Sequence, residues 1–228
     1  MKKIAVLSGA GVSAESGLAT FRDSGGLWEG HDVMEVASPQ GWAANPDLVN
    51  NFYNLRRRDL LAAKPNAAHE FFAGLEEKYS VTIITQNVDD LHERAGSSNV
   101  VHLHGELFSV RSSRYDDLIY PWKKDLSLTD VCEKGHQLRP NIVWFGEAVP
   151  EIPRAVAIVE KADIVVIVGT SMQVYPAAGL VEYAQPTSRI IYIDPNPASI
   201  NRLPTEDFHV IAKPATGALG ELSRLLGD

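Results

Sequence analysis

Four short apolar runs along the chain have the length and composition of buried β-strands. They cover residues 4–7, 81–85, 164–168 and 190–193. Each run is rich in valine and isoleucine and is followed by small, polar or turn-forming residues. Continuous apolar runs of this length are typical of strands that are buried on both faces of a parallel sheet.

Helical patterns lie between these strands. Residues 67–78 place apolar side chains on one helical face, residues 152–161 lead into the third strand, and residues 215–226 are amphipathic. The alternation of strands and helices predicts an α/β fold, with a Rossmann-like parallel sheet and helices on both faces.

Two segments interrupt this alternation. Residues 27–66 are predicted to be helical from about residue 46 to 63, whereas residues 107–141 are charged and rich in turns. We expect the two segments to pack together as a small inserted module of a single domain. Ligands of open α/β sheets bind at the carboxyl ends of the strands, so the site is expected in the cleft between module and sheet. The Rossmann-like core then comprises residues 1–26, 67–106 and 142–228.

Composition narrows the function. The 228 residues include 21 Lys and Arg against 29 Asp and Glu, a formal net charge of −8. This balance disfavours sequence-independent nucleic-acid binding, which requires a basic surface. No apolar stretch approaches the ~18 residues of a membrane span. Cys132 is the single cysteine, which excludes an intrachain disulfide and a multi-cysteine zinc site. We therefore expect a cytoplasmic protein without nucleic-acid or membrane partners.

A glycine-rich turn directly after the first strand fits the pattern G-x-G-x-x-A. Glycines let the backbone approach a pyrophosphate, and the start of the next helix favours its negative charge. Dinucleotide-binding dehydrogenases place an acidic residue after the second strand, ~20 residues on. Here Glu29 and Asp32 fall in the insertion instead, so hydride transfer is disfavoured. The residues of the turn are Gly9, Ala10, Gly11 and Ala14.

Five segments resemble the motifs of the sirtuin (Sir2) family, in the family's order. They are GAGVSAESGLATFR at 9–22, TQNVD at 85–89, LHGE at 103–106, VWFGE at 143–147 and GTSMQVYP at 169–176. The resemblance covers nearly the whole chain and implies a Rossmann domain with a small inserted module. It also implies an enzyme that consumes NAD and removes acyl groups from protein lysine side chains, releasing nicotinamide, O-acyl-ADP-ribose and free lysine.

The resemblance assigns polar residues near the strand ends to NAD. Asp89 would bind the nicotinamide carboxamide, while Gln86 and Asn87 would face the ribose and a bound water. A loop that covers NAD would contain Thr20, Phe21 and Arg22, with the phenylalanine shielding the reactive ribose carbon.

Residues farther along the chain are assigned to the other parts of NAD. Gly169, Thr170 and Ser171 would reach ribose or phosphate groups. Asn196 would bind the adenosine ribose in place of the missing acidic residue, and Ala215 would lie against the adenine.

Two histidines near the LHGE motif are expected to differ in role. A general base needs a pKa near the working pH, which imidazole provides. The resemblance assigns His104 as the base that deprotonates a ribose hydroxyl, in a site that includes Asn87. His102 lies two residues earlier, on the opposite face of an extended segment, and is assigned to structure or to the rim of the site.

The VWFGE segment is predicted to be extended. In the family it pairs with the substrate peptide by strand addition, in which main-chain hydrogen bonds supply the affinity. The residues assigned to the peptide are Val143, Phe145, Gly146 and Glu147.

The chain departs from most sirtuins, which hold a structural zinc with two Cys-x-x-Cys pairs in the inserted module. Cys132 and the nearby His136 do not supply the four ligands of a tetrahedral site. We expect no zinc and a module held by packing. The residues expected to pack are Tyr115, Ile119, Tyr120, Trp122 and Leu126.

Tyr53 and Arg56 lie three residues apart and would share a helical face. A phenol beside a guanidinium suits a carboxylate, and the pair resembles the mark of the sirtuin subclass that removes succinyl, malonyl or glutaryl groups. Ala37 would leave room for such a chain. The alternative is a solvated basic helix edge, since Arg57 and Arg58 follow directly.

Three other functions remain open beside deacylation. A mono-ADP-ribosyltransferase or NAD glycohydrolase would share the first chemical step and use a different acceptor. A nonenzymatic NAD or ADP-ribose sensor would not require the base His104. A dehydrogenase would require the acidic residue that the chain lacks.

Overall fold

The computed structural model describes residues 1–20, 27–28, 30–200 and 202–227. A six-stranded sheet, parallel throughout, forms its centre in the order β11-β10-β9-β1-β4-β5. Its strands in chain order are β1 (Lys3–Ser8), β4 (Ser80–Thr85), β5 (Val100–His102), β9 (Ile164–Val168), β10 (Arg189–Ile193) and β11 (Phe208–Ile211). The remaining strands are β2 (Leu27–Trp28), β3 (His31–Asp32), β6 (Gly105–Ser112), β7 (Ile119–Pro121) and β8 (Leu138–Ile142).

Both faces of the sheet are covered, because successive side chains of a strand point to opposite faces. In β1, Ile4 and Val6 pack into one apolar cluster, whereas Ala5 and Leu7 pack into another. The predicted Rossmann-like α/β fold is confirmed. The α-helices are α1 (Gly11–Ala14), α2 (Val33–Val36), α3 (Pro39–Ala44), α4 (Pro46–Ala62), α5 (Ala67–Gly74), α6 (Leu91–Arg94), α7 (Ile152–Val159) and α8 (Leu219–Leu226).

The central strands and the flanking helices follow the apolar pattern closely. The four predicted runs are the four inner strands of the sheet. Helices α5 and α8 cover one face, and α7 covers the other together with the 3₁₀ segment Ala177–Tyr183. The edge strands β5 and β11 are not predicted, because they are short and only partly buried. None of the described helices is long and apolar enough to cross a membrane.

A second, three-stranded antiparallel sheet in the order β7-β6-β8 lies in the region that the sequence indicates only as turn-rich. Its strands are mixed in polarity, and turn-rich segments separate them, which hides their period. Residues of both interrupting segments pack in one apolar cluster, to which α4 contributes Phe52 and Tyr53 and the later segments contribute Leu107, Ile142 and Trp144.

A smaller apolar cluster packs between the three-stranded sheet and the segment that connects β7 to β8. Its buried members are Val110, Leu126, Cys132 and Leu138, with Tyr120 and Trp122 packed against them. The expected packing residues Ile119 and Tyr115 lie outside this cluster. Ile119 is 51% exposed, and the Tyr115 ring instead contacts that of His136 at 5.4 Å. The packing prediction is therefore wrong for Ile119, whereas Tyr115 packs within the module but outside this cluster.

Buried polar groups of α4 tie this sheet to the rest of the molecule. Asn54 Nδ2 donates to the Leu126 carbonyl (3.0 Å), and the Leu126 N–H donates to Asn54 Oδ1 (2.8 Å). Arg57 donates to that same oxygen (2.7 Å) and to the Leu107 carbonyl (3.0 Å). Arg57 is 1% exposed, so it does not belong to a solvated basic edge. Burial lowers the pKa of Arg57 to about 10.

Asn54→Ala is expected to lower the free energy of unfolding by about 2–4 kcal/mol, because it leaves the buried N–H and C=O of Leu126 without partners. Urea denaturation measures this loss. Asn51→Ala is the matched control, since Asn51 is an exposed residue of the same helix, and its effect is expected within about 0.5 kcal/mol of zero. Equal losses in the two variants would contradict the assignment.

Candidate active site

The loops that follow β1 and β9 touch at the carboxyl edge of the central sheet. Gly9 donates its N–H to the Val168 carbonyl (3.0 Å), and Gly11 donates to the Gly169 carbonyl (2.8 Å). A Cβ atom at Gly9 would lie 2.7 Å from the Gly169 oxygen, and one at Gly11 would lie 2.8 Å from Gly169 Cα. Gly169 also has a φ of +61°. Glycine is therefore required at these three positions, where two backbones meet.

This contact changes the interpretation of the glycine turn. The N–H of Gly11 is engaged by Gly169, so it does not serve a phosphate. The predicted helix after the turn is the single turn α1, which makes only a small helix dipole. Ala10 is half-buried and Ala14 is exposed, so the turn presents a shallow surface of small residues beside the contact.

Polar side chains of the loop after β4 connect it to both glycine loops. Gln86 Nε2 donates to Thr170 Oγ1 (3.2 Å). Asn87 Nδ2 donates to Ser13 Oγ (3.1 Å), and this hydroxyl donates to Asp89 Oδ2 (2.9 Å). Burial raises the pKa of Asp89. The predicted residues Gln86, Asn87 and Asp89 thus lie together at the strand ends.

The ring of His104 is oriented by the backbone of the same loop. Its Nδ1 lies 3.0 Å from the Gln86 carbonyl oxygen. A carbonyl only accepts hydrogen bonds, so the proton of the neutral ring is on Nδ1 and the lone pair is on Nε2. Burial lowers the pKa of His104, and the Gln86 contact offsets this only in part. A neutral imidazole with a basic Nε2 is the form that a general base requires.

His102 has a different environment. Its Nδ1 lies 3.2 Å from the Asn87 carbonyl oxygen, and its Nε2 lies 2.6 Å from Glu93 Oε1. Burial lowers the pKa of His102, but the hydrogen bond and charge of Glu93 outweigh burial, so the pKa is raised overall. Both ring nitrogens are engaged within the protein, which fits the structural role that the sequence suggests.

The residues assigned to the adenosine half occupy the neighbouring strand ends. Thr170 is buried and Ser171 is half-buried after β9, and Asn196 is exposed after β10. Ala215 is 5% exposed and packs in an apolar cluster below the sheet edge. Of the loop assigned to cover NAD, Thr20 is described and half-buried, whereas Phe21 and Arg22 lie outside the described residues.

Tyr53 and Arg56 lie on α4, as the spacing predicts. The Arg56 guanidinium carbon lies 4.5 Å from the centroid of the Trp28 ring, and the Tyr53 ring packs edge-on against Phe52 at 5.1 Å. Tyr53 is 0% exposed, and burial raises its pKa well above the ordinary value. An acyl group can reach Tyr53 only by displacing the atoms that cover it.

The sequence predicts that the segment from Val143 to Glu147 is extended throughout, but the structure shows a turn in its second half. Residues 145–147 form a turn in which Gly146 has a φ of +92°. The N–H of Val143 donates to the His104 carbonyl (2.9 Å), and that of Phe145 donates to the Ala37 carbonyl (2.9 Å). The prediction of a fully extended strand is therefore wrong from residue 145 onward.

The carboxylate of Glu147 is held within the protein. Arg139 NH1 donates to Oε1 (2.6 Å), and the N–H of Trp144 donates to Oε2 (2.8 Å). Arg111 NH2 lies 3.3 Å from both oxygens. Burial raises the pKa of Glu147, but these donors outweigh burial, so the pKa is lowered overall. Direct peptide binding by this side chain is not supported by these contacts.

Two residues of the site escape the sequence reasoning. Ser13 bridges Asn87 and Asp89, and its position inside the glycine motif is the signal that marks it. Trp144 donates its indole Nε1–H to the Tyr53 hydroxyl oxygen (3.1 Å). Its position within VWFGE is visible in the sequence, but its partner lies 91 positions away.

Comparisons with known proteins agree with this geometry. The chain is 56% identical over 222 residues to the NAD-dependent protein deacylase of Helicobacter pylori strain J99, with 97% of this chain and 94% of the relative covered. It is 53% identical over 232 residues to the NAD-dependent protein deacylase of Bacteroides thetaiotaomicron, with 99% and 98% covered. A crystal structure of a Sir2 homologue in complex with NAD matches with a TM-score of 0.86 and 41% identity, over 98% of this chain and 88% of that one.

The model of the Sir2 family matches residues 9–176. This range contains the Gly9–Gly169 contact, the amides at the end of β4, and His104. With relatives more than half identical over almost their full lengths, the chain belongs to the Sir2 family.

Proposed function

We propose that this chain is an NAD-dependent deacylase of protein lysine side chains, and that it accepts acyl groups ending in a carboxylate. The observation that carries deacylation is the orientation of His104, whose Nδ1 is held by the Gln86 carbonyl so that Nε2 is basic. The relatives named above are NAD-dependent protein deacylases. The carboxylate preference rests on Tyr53 and Arg56.

The residues present fit NAD. The two glycine loops meet at the carboxyl edge of the sheet, where open α/β sheets bind nucleotides, and they approach too closely for any side chain at Gly9, Gly11 or Gly169. Gln86, Asn87 and Asp89 supply hydrogen-bonding groups beside this contact. When bound, NAD supplies a ribose carbon that accepts a nucleophile as nicotinamide leaves.

The chain itself supplies a base, His104, and a hydrogen-bonded set of polar side chains, Ser13, Asn87 and Asp89. His104 accepts a proton on Nε2 from a ribose hydroxyl, while the Gln86 carbonyl keeps the ring from turning. The Ser13 hydroxyl accepts a hydrogen bond from Asn87 and donates one to Asp89. Ser13 thereby fixes the directions of two side chains that face the ribose and nicotinamide.

Tyr53 and Arg56 are proposed to bind the carboxylate of a succinyl, malonyl or glutaryl group. Arg56 is held against the Trp28 ring, which leaves a guanidinium beside a phenol on one helical face. The charge of Arg56 lowers the pKa of Tyr53 against the larger effect of burial, so the two groups interact electrostatically. Ala37 is buried in the same apolar cluster as Tyr53, and its small side chain is proposed to make room for the acyl chain once the atoms that cover Tyr53 are displaced.

Deacylation is expected to decline as the pH falls, because His104 must be neutral to accept a proton. Since burial lowers the pKa of His104 below its ordinary value of 6.5, the midpoint of this decline in kcat/KM lies below 6.5. The measurement is kcat/KM for an acyl peptide across pH at saturating NAD. His104→Ala is expected to lose roughly 10²–10⁴-fold in deacylation. A midpoint above 6.5 would point instead to His102, whose pKa is raised.

Arg56→Met is expected to raise KM for a succinyl-lysine peptide by roughly 10–150-fold, because a charge-assisted hydrogen bond contributes about 1.5–3 kcal/mol. KM for the acetyl-lysine peptide is expected to change far less. Arg58→Met is the matched control, because Arg58 is exposed and pairs with Asp125. Equal effects of Arg56→Met on both peptides would show that Arg56 is only part of a basic helix edge.

We also propose that no zinc holds the small module. Among residues 1–20, 27–28, 30–200 and 202–227, no group of three or more His, Cys, Asp or Glu side chains is placed to bind a metal ion. Metal analysis of the purified protein is expected to give well under one zinc per chain, and a chelator is expected to leave deacylation unchanged. Stoichiometric zinc that is lost together with activity would contradict this proposal.

A further inference from the structure

Among the described residues, the hydroxyl of Tyr53 has one hydrogen-bond partner, the indole of Trp144. Trp144 Nε1 lies 3.1 Å from the Tyr53 oxygen, and both side chains are buried, with 2% and 0% of their surfaces exposed. An indole N–H only donates, whereas a phenol both donates and accepts. Tyr53 is therefore the acceptor in this bond, and its own proton points away from the indole.

The indole is held in place from several sides. The Arg139 guanidinium carbon lies 3.3 Å from the centroid of the Trp144 ring, and the Trp42 ring lies 5.7 Å away. The Trp144 backbone N–H donates to Glu147, which also binds Arg139. The ion pair of Arg139 and Glu147 thus holds both the Trp144 backbone and one face of its ring. The indole Nε1–H therefore has a single direction.

The proton of the Tyr53 hydroxyl lacks an acceptor among the residues that the structure describes. Leaving a buried donor without a partner costs free energy, and such a cost is recovered when a ligand supplies an acceptor. A donated hydrogen bond also polarises the receiving hydroxyl and makes it a better donor. A carboxylate offers only acceptors when it is ionised.

We propose that Trp144 is a positioning residue for acyl specificity, which directs the Tyr53 hydroxyl proton toward the carboxylate of an acidic acyl group. This inference rests on the proposed function, because it requires that Tyr53 and Arg56 bind that carboxylate. Trp144 acts through Tyr53 and does not touch the reacting atoms. Its effect is therefore confined to the discrimination between acidic and neutral acyl groups.

The test compares kcat/KM for succinyl-lysine and acetyl-lysine versions of one peptide. Trp144→Phe removes the N–H and is expected to reduce the succinyl-to-acetyl ratio by about two- to tenfold, the range that one neutral hydrogen bond supports. The loss is expected in KM rather than kcat. In a Tyr53→Phe background the same change is expected to leave the ratio unaltered, since no hydroxyl remains to be directed.

Two further variants separate the hydrogen bond from packing. Trp42→Phe removes an indole N–H from the same aromatic cluster, but Trp42 makes no hydrogen bond to Tyr53, and the ratio is expected to stay at the wild-type value. β-(3-Benzothienyl)alanine at position 144, introduced by codon suppression, keeps the bicyclic shape without the N–H. It is expected to reproduce the ratio of Trp144→Phe, and it serves if Trp144→Phe does not fold.

The outcomes distinguish this inference from the proposal beneath it. If Arg56→Met lowers the ratio and the variants at position 144 do not, the carboxylate site stands and the role of Trp144 is overturned. An equal loss on both peptides, or a loss that persists in the Tyr53→Phe background, would assign Trp144 to packing alone. A wild-type enzyme without turnover of succinyl-lysine, and without any effect of Arg56→Met on the ratio, would overturn both.

Discussion

The backbone contact between the loops after β1 and β9 is the constraint on which the site depends. Gly11 donates to the Gly169 carbonyl at 2.8 Å, and a side chain on either residue would overlap the other loop. The contact brings two strand ends together at the surface where open α/β sheets bind nucleotides. The loop after β4 then joins this surface through Gln86, which also holds His104 by its carbonyl. One close approach of two backbones thus brings the glycine loops next to Gln86 and, through its carbonyl, to the His104 ring.

Helix α4 carries both the polar contacts that hold the small module and the residues of the proposed acyl site. Asn54 and Arg57 bind the backbone of Leu126 and Leu107, so they hold the three-stranded sheet. The neighbouring positions Tyr53 and Arg56 are those proposed to select the acyl group. Because one rigid helix carries both sets, the polar contacts that stabilise the module also fix the geometry of the proposed carboxylate site.

Glu147 is a motif residue whose carboxylate is engaged by other groups of the protein. Its carboxylate binds Arg139, Arg111 and the backbone of Trp144. Arg139 in turn covers the indole ring. These contacts make the segment a rigid support for the Trp144 indole, and they account for the turn at residues 145–147 that the sequence pattern did not predict.

The sequence alone determined the four inner strands, the flanking helices, helix α4 and the family. Continuous apolar runs, 3.6-residue periods and short motifs depend only on residues that are close together in the sequence. The sequence also placed Gln86, Asn87 and Asp89 at the end of a strand, and it singled out His104 by the LHGE motif. The edge strands, the antiparallel sheet and the burial of Arg57 were decided by tertiary structure, since short mixed segments acquire their partners only when distant parts of the chain meet. The hydrogen bond between Trp144 and Tyr53 was also decided by tertiary structure, because its partners are 91 positions apart in the sequence.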